Sequence, residues 1–130
     1  MRYRVGLSCG GLGKEIKKET FFSCKEAGIS AIEISVDKTK YGEIPFEQLE
    51  EWSKESGVEV WSMHMPFSVS MRIDISSEDE EVRRHTVDYF KELIVRANKA
   101  GIKRFVIHPS CEPIAEEERA RKIQYSTSRI

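Results

Sequence analysis

The chain has 130 residues, with 21 basic against 22 acidic side chains and a formal net charge of −1. That length suits one soluble domain with a modest core, and near-neutrality leaves no electrostatic footprint for nucleic acid or an anionic membrane. No run approaches the roughly 18 apolar residues of a membrane span, no apolar start of signal length is present, and Cys9, Cys24 and Cys111 form neither a disulfide framework nor a CxxC pair, which predicts reduced thiols in a cytoplasmic protein.

In chain order, strand and helix signals alternate. Tyr3 to Ser8 reads as a short strand, broken by Gly10-Gly11-Leu12-Gly13. A helix is expected from Lys14 to Ala27, with Phe22, Cys24 and Ala27 as its apolar positions and Gly28 as the left-handed residue ending it. Ala31 to Ser35 is the second strand. Pro45 suits the first turn of a second helix, whose Phe46, Leu49 and Trp52 share a face and which Gly57 closes. Val58 to His64 is the third strand, and a polar loop covers about Ser68 to Ser76. Ser77-Glu78-Asp79-Glu80 reads as a capping box for a long third helix, Glu78 to Ala100, with a stripe of Val82, Thr86, Phe90, Leu93, Ala97 and Ala100. After Gly101 come a fourth strand, Arg104 to His108, and the opening turns of a fourth helix, Glu116 to Gln124.

Strands joined by helices run parallel, with right-handed crossovers. The order βαβαβαβα leaves an open doubly wound sheet or half of a (β/α)8 barrel. A full barrel averages about 31 residues per unit, and four units in 130 residues match that pitch. Strand alternation decides further. Gly6 and Ser8 oppose Val5 and Leu7; Glu33 and Ser35 oppose Ile32 and Ile34; Ser62 and His64 oppose Trp61 and Met63; Val106 and His108 oppose Phe105 and Ile107. Larger apolar residues gather on one face, whereas an open doubly wound sheet wants them on both. The expectation is an α/β fold of about four of the eight units of a TIM barrel, a single domain over 1–130 with an atypical tail at 122–130.

His64 and His108 end adjacent strands, each followed closely by proline, where parallel α/β folds build their sites. They form a candidate metal pair or a pair of pocket residues. Glu33, on the same face, is expected to orient a histidine, hold a substrate hydroxyl or pair with Arg4. Asp74 and Glu112 read as solvated loop charges and His85 as a helix-surface residue. Cys9 and Cys111 fall near strand ends without an evident base, so no nucleophile is assigned. Gly10-Gly11-Leu12-Gly13-Lys14 fails both the Walker and the dinucleotide patterns and reads as a sharp strand-to-helix turn, with Lys14 as a possible anion contact.

Ile32-Glu33-Ile34-Ser35, Ser62-Met63-His64-Met65-Pro66-Phe67, Asp74-Ile75-Ser76-Ser77 and Val106-Ile107-His108-Pro109-Ser110 resemble, in order and spacing, the first half of xylose isomerase-like TIM barrels, from about Tyr3 to Arg121. These include the sugar phosphate isomerases and epimerases and, more distantly, endonuclease IV-type apurinic endonucleases. The resemblance implies a divalent metal (Mn, Mg, Co or Zn) at the barrel mouth, held in the isomerase branch by residues of strands five to eight. It implies substrate-binding roles for Glu33, His64 and His108, and zinc-ligand roles for His64 and His108 only in the endonuclease branch. The expected function is that of the N-terminal half of a metal-dependent sugar or sugar-phosphate isomerase or epimerase, inactive alone. A non-catalytic half-barrel fragment and a zinc-dependent DNA repair enzyme are the alternatives, though the charge balance disfavours DNA. Past Arg121 the apolar period fails, which reads as a premature end. The open edge strands predict a homo-oligomer.

Overall fold

The computed structural model describes residues 3–13, 15–110 and 115–127. Four strands, β1 (Gly6–Ser8), β2 (Ala31–Ile34), β3 (Glu59–His64) and β4 (Phe105–Val106), alternate with four helices, α1 (Lys18–Glu26), α2 (Phe46–Ser56), α3 (Glu80–Lys99) and α4 (Glu116–Thr127). All strand pairs are parallel, and their order in the sheet is β1-β2-β3-β4. A doubly wound sheet reverses its strand order at a switch point. Here every strand lies beside its chain neighbour, as in a barrel that winds one way. The expected half-barrel is therefore the observed architecture. No helix among the described residues is long and apolar enough to cross a membrane.

One face of the sheet carries the core. Ile32, Ile34 and Met63 point into it and are fully buried, with Phe21 and Cys24 of α1, Phe46 and Leu49 of α2, and Phe90, Leu93 and Ala97 of α3 closing over them. α2 forms as its sequence demands: Pro45 is the N-cap, Phe46 and Leu49 fall one turn apart on the buried face, and Gly57 takes a left-handed φ of 75° at the C-cap.

Three local expectations are corrected. α1 starts at Lys18, and its buried aromatic is Phe21 rather than Phe22. Phe21 meets Trp52 of α2 edge to face at 5.9 Å, whereas Phe22 is only half-buried, with the Lys18 ammonium 5.9 Å over its ring. α3 is capped by Asp79, whose carboxylate accepts from the Glu81 and Val82 amides at 2.9 and 3.4 Å. The hydroxyl of Ser77, the expected cap, lies two residues upstream of Asp79 and accepts the Asp79 amide at 3.2 Å.

The third correction concerns the sheet. Ile32 pairs with Val60 but Glu33 pairs with Ser62, so Trp61 is an extra residue at a bulge. The bulge turns Trp61 to the open side, where it lines one cavity with Ser8, Glu33 and Ser62 and lies under the Arg104 guanidinium, 3.6 Å from the ring centroid. In strand four, Phe105 packs on the core but Ile107 is 44% exposed.

Candidate functional site

The C-terminal ends of the four strands converge on the open side of the sheet. β3 and β4 bring His64 and His108 together: their Nε2 atoms lie 2.9 Å apart and their ring centroids 4.8 Å apart. At that distance one ring nitrogen donates and the other accepts, so the two imidazoles hold opposite tautomers when both are neutral. The Phe67 ring stacks on His108 at 4.1 Å and 26°, flanking the pair on one side. Met65-Pro66 carries the chain from His64 to Phe67, and Met65 and Pro66 are buried, so the stack stands on a rigid turn.

Beneath the pair, Tyr41 is buried in the short 3-10 turn Tyr41–Glu43 and donates its hydroxyl to the His64 carbonyl at 2.7 Å. Burial pushes the Tyr41 phenol up to about 12, against hydrogen bonds from the Val36 backbone and the Ser35 side chain that lower it, so it remains a donor at neutral pH. His64, Tyr41 and Phe67 line an open groove of about 380 Å³ together with Ser35, Asp37 and Lys38.

Glu33 occupies a neighbouring cavity of about 230 Å³. Its Oε1 accepts the Ser8 hydroxyl at 2.9 Å and its Oε2 the Ser62 hydroxyl at 3.1 Å. Arg4 pairs instead with Glu59, at 2.6 Å, so the expected alternative of an Arg4–Glu33 pair does not form. Nor does Glu33 contact a histidine; serine hydroxyls are its hydrogen-bond partners among the described residues. It holds two serine hydroxyl groups.

The remaining candidates fall away from this constellation. Asp74 closes its own turn on the Ser76 amide and hydroxyl, at 2.9 and 2.7 Å. His85 stacks on Tyr89 at the exposed face of α3. Cys9 is buried, and burial, with the nearby Cys24 and Glu33, pushes its thiol up to about 12, the opposite of what a nucleophile needs. Lys14, Cys111 and Glu112 lie outside the described residues.

Sequence reasoning missed Tyr41, Phe67 and the two serines on Glu33. Ser62 and Ser8 carried a signal, since each shares the alternation face of Glu33. Tyr41 carried none, because its role depends on where a loop returns.

For the divalent metal that the family typically requires, the donor set is short. Among the described residues no three His, Cys, Asp or Glu side chains converge, whereas a catalytic zinc takes three protein ligands. The two imidazoles alone do not make that site.

Residues 21–128 match the family model described as xylose isomerase-like TIM barrel. No curated protein matches the chain. Among solved structures, the chain is similar to D-psicose 3-epimerase crystallised in the presence of D-fructose, with a TM-score of 0.68 and 18% identity over 94% of this chain and 45% of that one. It is also similar to D-psicose 3-epimerase with D-tagatose from Clostridium cellulolyticum H10, with a TM-score of 0.69 and 13% identity over 97% of this chain and 48% of that one. At such identities these likenesses establish fold, and the chain spans about half the length of the solved relatives it matches. The one-way parallel sheet with its polar groups at the strand ends, and a family model covering most of its length, place this chain in the xylose isomerase-like TIM barrel family.

Proposed function

We propose that the chain supplies the N-terminal half of a metal-dependent sugar or sugar-phosphate isomerase or epimerase, with Glu33, His64 and His108 as one wall of the substrate pocket. The observation that carries the reading is the pairing of a hydroxyl-holding carboxylate with a donor–acceptor imidazole pair at the ends of neighbouring parallel strands. A vicinal diol presents the matching donors and acceptors. Phe67 adds an apolar flank for the carbon-bearing face of a ring, and Glu33 exchanges a serine hydroxyl for one from the sugar. The metal, when bound in the complete barrel, would polarise substrate oxygens next to the reacting carbon. Its main ligands would come from outside residues 1–130, and the isolated chain is expected to be inactive.

The test has two parts. Purified 1–130, given D-fructose, D-psicose or D-tagatose with Mn²⁺, Mg²⁺ or Co²⁺, is expected to show no turnover; robust metal-dependent conversion would refute the inactive half-site. Sugar titration followed by NMR is expected to move the His64 and His108 ring signals with Kd near the millimolar range typical of weak, partial sites, about −4 kcal/mol. His64→Ala and His108→Ala should abolish the response. Unmoved histidine signals would sink the pocket assignment.

One observation favours zinc as a second occupant. Two imidazoles on a tetrahedral zinc sit roughly 3.3 Å apart, from Zn–N bonds of about 2.0–2.1 Å, and the pair needs to open by only a few tenths of an ångström from 2.9 Å. Stoichiometric zinc binding lost in both alanine variants would favour the endonuclease-like reading.

A further inference from the structure

The His64–His108 contact depends on where β3 ends, and β3 ends past its neighbour. The Met63 and Met65 amides donate to the Arg104 and Val106 carbonyls of the β4 segment, at 3.0 and 2.8 Å. In a parallel ladder alternate residues serve opposite neighbours, so His64 turns its carbonyl toward β2. But β2 stops at Ile34, whose partner is Met63, and no strand residue faces the His64 carbonyl. The Tyr41 hydroxyl, brought back by the loop after β2, takes that place at 2.7 Å.

We infer that Tyr41 is a positioning residue for the His64–His108 pair, its hydroxyl fixing the end of β3 so that the His64 imidazole emerges within hydrogen-bond distance of His108. The inference rests on the reading of the pair as a pocket wall. Three further observations support it. Tyr41 is 2% exposed, so its ring is held in place by packing. The same residue shares its groove wall with Ser35 and Val36, just past the end of β2, and with His64 at the end of β3. Ser35 is in turn closely approached from the β1 side, where a Cβ added at Gly10 would lie 2.9 Å from the Ser35 Oγ. The chain of contacts Gly10–Ser35–Tyr41–His64–His108 thus runs across the ends of all four strands. It contains no carboxylate, ammonium or guanidinium group, so the brace keeps its shape without ion pairs.

The test reads the imidazoles directly. Long-range ¹H–¹⁵N spectra of the 130-residue chain at neutral pH are expected to show His64 and His108 as opposite tautomers. In Tyr41→Phe, which keeps the ring and its packing, that opposed pattern is expected to be lost, while the His85 signals on the far surface of α3 stay put and certify the fold. If Tyr41→Phe does not fold, Ser35→Ala, which leaves the ring untouched, is expected to weaken the pattern in the same direction. An opposed pattern that persists in the folded variant, or that is absent from the unmodified chain, overturns the inference. Sugar affinity measured on the same samples separates the two readings. Loss of the pattern with unchanged affinity upholds the brace and sinks the pocket assignment; an intact pattern with reduced affinity does the reverse.

Discussion

At the scale of single residues, burial in the core decides protonation. The Cys9 thiol rises from 9.0 to about 12 and the Tyr41 phenol from 10.0 to about 12, each chiefly because burial penalises the anion; Cys24 shifts the same way for the same reason. The consequence for stability has a definite sign. Below about pH 9 these groups are protonated in the folded and unfolded chains alike and contribute no pH dependence. Between about pH 9 and 12 the unfolded chain releases protons that the folded chain keeps, so it binds fewer protons and stability falls as pH rises. Urea midpoints are therefore expected to stay level up to about pH 8.5 and then decline. Cys9→Ala should shallow the first part of that decline and Tyr41→Phe the later part. A midpoint that holds level to pH 11 would contradict the burial of both groups. Glu33 is the contrasting case, a half-buried carboxylate whose two oxygens are each met by a serine hydroxyl. Among the described residues no cation pairs with it; hydroxyl groups alone meet its two oxygens.

At the scale of elements, the α3 cap gives a sharp comparison. Asp79→Ala removes an acceptor for two amide donors at the helix N-terminus and is expected to cost about 1 kcal/mol, within the usual range for a cap. Ser77→Ala, which touches only one amide outside the helix, should cost less than half of that. Thermal melts of the two variants decide it, and equal losses, or a larger loss at Ser77, would restore the serine as the cap. The sequence suggested Ser77 because Ser-x-x-Glu is a recognisable box. It did not say which of two side chains, Ser77 or Asp79 two residues on, the loop would deliver to the first free amides, and that choice depends on tertiary placement of the loop. The same limit explains α1. Phe21 and Phe22 are adjacent, and only the contact with Trp52 on a neighbouring helix selects the first for the core. By contrast α2 was legible from Pro45 to Gly57, because its stop signals and its apolar face are both local. The strand-end histidines were legible for the same reason: His64 and His108 each close an apolar run, and parallel pairing alone brings such ends side by side.

At the scale of the whole molecule, the helices cover one face of the sheet and leave the other as a surface. The bulge at Trp61 makes that surface more apolar than strict alternation implies, which is why sequence reading underestimated it. A bulge inserts one residue into one strand, and nothing in the local sequence Val60-Trp61-Ser62 marks the insertion. Trp61 and Val106 are each 42% exposed, on strands whose neighbours in a closed barrel would meet them from across the axis. β1 and β4 are also the edge strands of the sheet among the described residues. An apolar face bordered by two open edges favours association, and because both edges belong to parallel strands of one hand, a second copy can offer β1 to β4 in the direction the sheet already runs. We therefore expect the 130-residue chain to self-associate in a concentration-dependent manner in sedimentation experiments. Trp61→Ser should weaken the association by about tenfold, the effect of roughly 1.4 kcal/mol, because tryptophan carries a large share of the energy in an apolar interface. Its melting temperature should change little by comparison, since Trp61 lies outside the helix-covered core and its ring contact is with Arg104. A monodisperse monomer at high concentration would show that the open face is stable in water as it stands. A large drop in melting temperature for Trp61→Ser would instead make the Trp61–Arg104 stack part of the fold's own stability.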